Sequence, residues 1–354
     1  MHTYISNTVP VPLLRRSSWW FQVVTYSLFL LSSQSAATIL GKIYYDKGGN
    51  SKWMATLVLN AGFPVLLPLL FFLPSETHSL AKNPSKKQPS QLVLASIYIS
   101  LGILLVADSM LYAIGLLYLP VSTFTLICAS QLAFNALFSF FLNSQKFTPF
   151  IINSLVLLTI SSILLVFIPD DSSDSSTHKK RYALGCLCTI GASAGYSLIL
   201  SLTQLAFQKI LKTENFRLVL DMIIYTSAVA TSVIVIGLFS SGEWKNLSTE
   251  MREFKIGSVS YVMILVWTAV SWQVYNIGTI GLIYKVSSLF SNVISTLGLP
   301  IVPVLAVFIF NEKMSGLKVV SMVLAIWGFV SYMYQHYLDD LKDRLKSADH
   351  DQVP

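Results

Sequence analysis

The residues that could do chemistry in this chain are amides, aromatics and one carboxylate, and they recur at helical spacing. Phe124, Cys128, Gln131 and Asn135 fall on one face of a helix, as do Ser288, Asn292, Ser295 and Leu299. Gln273 and Asn276 share a face with Trp272 beside them, and Tyr112 stands four residues after Asp108. Ser197, Ser201, Gln204 and Gln208 form a stripe next to Tyr196, and Gln34 stands alone. An amide shows a donor and an acceptor side by side, which matches the paired donor and acceptor on a nucleobase edge. Aromatic rings add stacking, worth about 1–3 kcal/mol per base. No Lys or Arg lies near the middle of these segments, where a phosphorylated ligand would want one. The pattern suits a flat, neutral, hydrogen-bonding ring. The expected ligand contacts are Gln131, Asn292, Gln273, Trp272, Tyr112, Asn135, Asn276, Gln34, Tyr196 and Gln204. The competing expectation for each amide is a bond to a neighbouring helix. Asp108 is the acid placed deepest inside an apolar segment. It is expected to carry a proton, to bind the ligand, or to be a hydrogen-bonded structural acid. Asn60, near Pro64 and Pro68, is expected to be structural. Gly191 and Gly195 are expected to allow close helix packing.

These residues sit in a very apolar chain. Of 354 residues, 54% are hydrophobic and only 12% are charged. Soluble domains carry about 25% charged residues, so a water-facing surface is excluded, and so is disorder. The three cysteines lie in apolar runs and read as buried thiols rather than a disulfide framework. The net charge of +7 does not point to nucleic acid, because the basic residues flank apolar stretches. The expected fold is an all-α integral membrane protein with ten transmembrane helices. The spans are placed at 20–40, 53–73, 92–114, 119–142, 149–168, 183–208, 218–239, 257–277, 287–310 and 315–337, each near the 20 residues a bilayer requires. The first is read as a retained helix rather than a cleaved signal. An even span count puts both termini on one side. A slight excess of Lys and Arg makes that side cytoplasmic. Asn246-Leu247-Ser248 is a glycosylation sequon on the other side.

The chain also repeats. Gly115-Leu116-Leu117-Tyr118 recurs as Gly281-Leu282-Ile283-Tyr284, and Lys146-Phe147-Thr148 recurs as Lys313-Met314-Ser315 at nearly the same spacing. A Ser-rich span lies between each pair and one more span follows. The expected organisation is an N-terminal tail (1–19), a first five-helix repeat (20–169), a polar linker (170–182), a second five-helix repeat (183–338) and a charged tail (339–354). An odd number of spans per repeat inverts the second half, a construction of secondary transporters with a site near the midplane. Pro300 and Pro303 would kink the ninth span and offer a hinge.

Longer motifs carry a resemblance. Leu119-Pro120-Val121-Ser122-Thr123, Cys128-Ala129-Ser130-Gln131-Leu132-Ala133-Phe134-Asn135-Ala136 and the segment 138–148 resemble the plant purine permeases. So do the segment 286–295, Leu299-Pro300-Ile301-Val302-Pro303 and Trp327-Gly328-Phe329-Val330-Ser331-Tyr332. That family lies in the drug/metabolite transporter superfamily, with ten spans in two inverted halves. The resemblance implies proton-coupled uptake of adenine and related purines, including cytokinins, at the plasma membrane. It implies a purine, the lipid bilayer and protons as partners, and no cofactor. The competing expectations are another carrier of the superfamily, for amino acids or nucleotide sugars, and a membrane enzyme. Against the enzyme, all five histidines fall in loops, tails or at a span end, with no metal-binding cluster or Ser–His arrangement. Against a channel, no repeated filter or charged ring is seen.

Overall fold

A computed structural model describes residues 11–72, 90–143, 176–211, 216–298 and 301–312, with parts of 148–160 and 314–338. Every regular element among them is helical. A chain in lipid must satisfy its backbone polar groups internally, and a helix does so within one segment. Eight helical segments are long and apolar enough to cross a membrane, and a shorter apolar helix covers Gly316–Gly328. Most of the expected fifth span and the tail from Asp339 lie outside the described residues, as do Lys146, Lys313 and Pro300.

The helices are α1 (Val11–Asp46), α2 (Lys52–Asn60), α3 (Leu67–Phe72), α4 (Gln91–Tyr118), α5 (Val121–Cys128) and α6 (Gln131–Asn143). Then follow α7 (Ser176–Ala206), α8 (Phe216–Ser241), α9 (Leu247–Glu253), α10 (Ser258–Lys285), α11 (Ser288–Gly298) and α12 (Ile301–Phe310). Several expected boundaries move. Residues 11–19 of the expected tail are already helical, and α1 continues to Asp46. Residues 176–182 of the expected linker form the first turns of α7. The second span is broken. After α2 the chain turns at Ala61–Gly62 and forms a tight 3₁₀ turn over Phe63–Leu66, where Pro64 withholds a donor, before α3.

The fourth span is broken too, with no proline at the joint. Across Ala129–Ser130 the backbone uses tighter i to i−3 bonds. Ala129 N–H donates to Leu126 O at 3.2 Å and Ser130 N–H to Ile127 O at 3.0 Å. Leu132 N–H then donates to Ala129 O at 3.3 Å. The stripe from Phe124 to Asn135 therefore spans two helices rather than one.

Two helix pairs lie in close contact. A Cβ on Gly278 of α10 would stand 2.6 Å from Tyr26 O and 2.8 Å from Leu30 N of α1, so the two backbones touch there. A Cβ on Gly195 of α7 would stand 3.0 Å from Asp108 Oδ1 of α4. The expected close packing at Gly191 and Gly195 is thus directed at the helix that carries the buried acid. Large apolar side chains such as Phe21, Leu92, Val259 and Phe308 are exposed on the outer surface, which suits lipid.

Candidate ligand cavity

Between these pairs lies a cavity of about 70 Å³. Gln34 and Thr38 of α1, Asp108 and Tyr112 of α4, and Phe124 and Cys128 of α5 reach it. Gln131 of α6, Ser193 and Tyr196 of α7, and Trp272, Tyr275 and Asn276 of α10 complete most of its wall. Among the described residues no Lys or Arg lines it. The aromatic side is continuous. The Tyr112 ring stands edge-on to Phe124 at 4.7 Å and to Trp272 at 5.4 Å, and Trp272 stands edge-on to Tyr275 at 5.2 Å. Tyr112 OH and Thr38 Oγ1 are 3.1 Å apart, and Thr38 donates to Gln34 O at 2.9 Å. Asp108 is buried, with the Tyr196 backbone N–H beside its carboxyl. Its Oδ1 has no hydrogen-bond partner among the described residues. That oxygen packs against Gly195 of α7, and a buried acceptor without a donor is a place where a carboxyl can hold a proton.

Seven of the expected residues meet here: Gln34, Asp108, Tyr112, Gln131, Tyr196, Trp272 and Asn276. Four lie off the wall, because backbone groups use them. Gln204 Oε1 accepts from Ser288 N–H at 2.8 Å and from its hydroxyl at 2.5 Å, at the start of α11. Asn135 Nδ2 donates to Ser288 O at 3.0 Å. Asn292 Nδ2 donates to Gln131 O at 3.0 Å, and Gln273 Nε2 to Asn60 O at 3.3 Å. Asn60 reaches the wall, but its amide donates to Ser109 Oγ at 3.0 Å and Thr56 O at 3.3 Å, in keeping with the structural role expected of it. Sequence reasoning missed Thr38, Tyr275 and Ser193. Each stands about one helical turn from a residue it did single out, namely Gln34, Trp272 and Tyr196.

The two ends of the cavity are closed by different chemistry. At one end, a small apolar gap of about 20 Å³ lies beyond Tyr112 and Trp272, walled by Tyr44, Tyr45, Leu116 and Leu265. Above it, Glu250 of α9 accepts from Tyr44 OH at 2.6 Å, Tyr261 OH at 3.1 Å, Asn50 N at 3.1 Å and Ser51 N at 3.2 Å. Glu243 accepts from Ser51 Oγ at 2.6 Å and Trp53 N at 3.3 Å, at the start of α2. Glu312 takes the free N–H groups that open α5, Val121 N at 2.8 Å and Ser122 N at 3.3 Å. Asn311, with φ +53°, turns the chain so that Glu312 reaches back to them. Lys318 donates to Ser122 Oγ at 2.7 Å and lies 3.7 Å from Glu312. Lys42 donates to Leu119 O at 2.9 Å. The other end holds neutral groups. Ser139 Oγ lies 3.3 Å from Ser288 Oγ and 3.4 Å from Ser201 Oγ, and Ser201 donates to Asn135 Oδ1 at 2.9 Å.

The chain has clear relatives. A family model described as purine nucleobase transmembrane transport matches residues 21–342. Probable purine permease 10 of Arabidopsis thaliana is 61% identical over 322 residues, covering 91% of this chain and 82% of that protein. Purine permease 21 of the same plant is 60% identical over 321 residues, with the same coverage of each chain. Probable purine permease 6 is 57% identical over 332 residues, covering 92% and 85%. These matches run over most of the chain, and it belongs to the purine permease family of transmembrane transporters rather than to any enzyme class.

Proposed function

We propose that this chain takes up neutral purine bases, adenine and its N6-substituted derivatives such as cytokinins, as a proton-coupled secondary carrier working by alternating access. The observation that carries this reading is the cavity wall. Aromatic rings flank amides and one buried carboxyl, and among the described residues no Lys or Arg faces in. Such a wall can stack and hydrogen-bond a flat base, but among the described residues it offers no cation to a phosphate. The same absence speaks against a nucleotide sugar.

The ten spans form two inverted halves in this reading. The repeated Gly-Leu-Leu-Tyr and Gly-Leu-Ile-Tyr segments support it, since they close α4 and α10, helices of 28 residues each. A broken span, α5–α6 or α11–α12, follows each of them. Both termini lie in the cytoplasm and the chain resides in the plasma membrane, so the Glu250 end of the cavity faces outward and Asn246 is available to glycosylation. Gln34, Tyr112, Gln131, Tyr196, Trp272 and Asn276 hold the base. Gln273, Asn135, Gln204 and Asn292 support the helices around them. Asp108 carries the coupling proton.

The test is uptake of labelled adenine by purine-uptake-deficient cells expressing the chain, with the proton gradient intact and collapsed. Saturable uptake that falls with the gradient supports the reading. Uptake that ignores the gradient removes the coupling. No uptake of adenine or a cytokinin, with the protein at the cell surface, rejects the substrate class.

A further inference from the structure

Ser295 of α11 lies behind the cavity wall and ties together three residues that form it. Its Oγ is 3.2 Å from Gln34 Oε1, 3.2 Å from Gln131 Nε2 and 3.3 Å from Tyr275 OH. A hydroxyl has one proton to give and two lone pairs to receive. Gln34 Oε1 has only lone pairs to offer, so the Ser295 proton goes there. Gln131 Nε2 and Tyr275 OH then donate to Ser295. Tyr275, having given its proton, accepts from Tyr196 OH at 2.7 Å. Each of these donors and acceptors is matched, and the direction of every bond is set.

The consequence falls on the two amides. Gln34 is held by its oxygen, so it turns its NH₂ to the cavity. Gln131 is held by its nitrogen, so it turns its carbonyl oxygen there. Both side chains are buried, which leaves the amides no solvent to rotate into. One hydroxyl from the second half of the chain thus fixes a donor and an acceptor contributed by the first half. We propose that Ser295 is a positioning residue that sets substrate choice, making the site distinguish a 6-amino from a 6-oxo purine. The two classes present their donor and acceptor in opposite order along the same ring edge. A fixed donor–acceptor pair fits one order, whereas freely rotating amides fit both.

This proposal rests on the purine-carrier reading, and the experiment separates the two. Labelled adenine uptake is competed with unlabelled adenine and with hypoxanthine, in cells expressing wild-type chain, Ser295→Ala, Ser295→Cys or Ser295→Thr at matched surface levels. The wild-type chain should prefer one base. In Ser295→Ala the ratio of the two inhibition constants should fall about tenfold toward one. Ser295→Cys, close in size and weak as a donor, should fall likewise if the alanine variant does not reach the surface. Ser295→Thr keeps the hydroxyl and should keep the ratio. A merely structural role would lower maximal uptake, or weaken both bases together, and leave the ratio in place. An unchanged ratio in the alanine or cysteine variant, or a wild-type ratio near one, overturns the proposal. No purine uptake by the wild-type chain at the surface overturns the carrier reading and this proposal with it.

Discussion

Replacing Glu250 by Gln should loosen the loop before α2 and the short helix α9 over the Glu250 end of the cavity. The carboxylate gathers four donors, two tyrosine hydroxyls from α1 and α10 and two backbone N–H groups from the loop before α2. Hydrogen bonds to a charged acceptor are worth about 1.5–3 kcal/mol and neutral ones about 0.5–1.5 kcal/mol. Glutamine has a single acceptor oxygen, so some of the set is lost and the rest is weakened. Glu250 is partly exposed, which places the total toward the low end, at about 2 kcal/mol. At 1.4 kcal/mol per tenfold, that is a roughly 30-fold rise in the open population. The reporter is already in the chain. Cys128 is buried in the cavity wall, and the other two cysteines do not line it. In a Cys186→Ala/Cys188→Ala background, a membrane-impermeant cationic thiol reagent added outside the cell should modify Cys128 about 30 times faster when Glu250 is Gln. Arg252→Gln, on the same short helix, should leave the rate unchanged. Equal rates with and without Glu250, in protein confirmed at the surface, would refute the idea that this carboxylate holds the end closed. So would protection of Cys128 that purines fail to increase.

Three further outcomes are expected. Asp108→Asn should retain adenine binding, measured by protection of Cys128, while uptake loses its dependence on the proton gradient. Trp272→Ala should weaken adenine by about 5- to 140-fold in competition assays, the equivalent of one stacking contact, whereas Trp272→Phe should recover most of that loss. Gly278→Ala should reduce folded protein at the membrane, because its Cβ would meet backbone atoms of α1 at 2.6 and 2.8 Å. Overpacking of that kind costs about 1–3 kcal/mol and is read as a lower melting temperature in detergent.

Hydropathy alone located the long spans, because apolar runs near 20 residues have few other uses. The joint at Ala129–Ser130 was not legible, since neither residue is a proline or glycine and the break is made by bond pattern alone. Helical spacing found Gln131, Tyr112 and Trp272 but could not say which neighbour a polar stripe meets. Gln131 and Asn135 are one turn apart on α6, yet the first faces the cavity and the second serves Ser288. That choice depends on where α11 starts, far along the chain. The carboxylates at the closed end were passed over for a similar reason. Glu250 lies in a short polar helix, and its partner Tyr44 is 206 residues earlier. A loop acid looks solvated until the distant helices are brought beside it.

The glycine contacts described above pair α1 with α10 and α4 with α7, and the aromatic wall is divided between those pairs. Trp272 and Tyr275 belong to the first, and Tyr112 and Tyr196 to the second. Tyr112 meets Trp272 toward the carboxylate end, while Tyr196 meets Tyr275 toward the neutral end. Two helix pairs therefore flank the cavity and meet along two seams, one toward each of its ends. Rocking one pair on the other would separate the first seam while pressing its counterpart together. A base could keep its stacking partner on one pair throughout, and leave by whichever seam had opened.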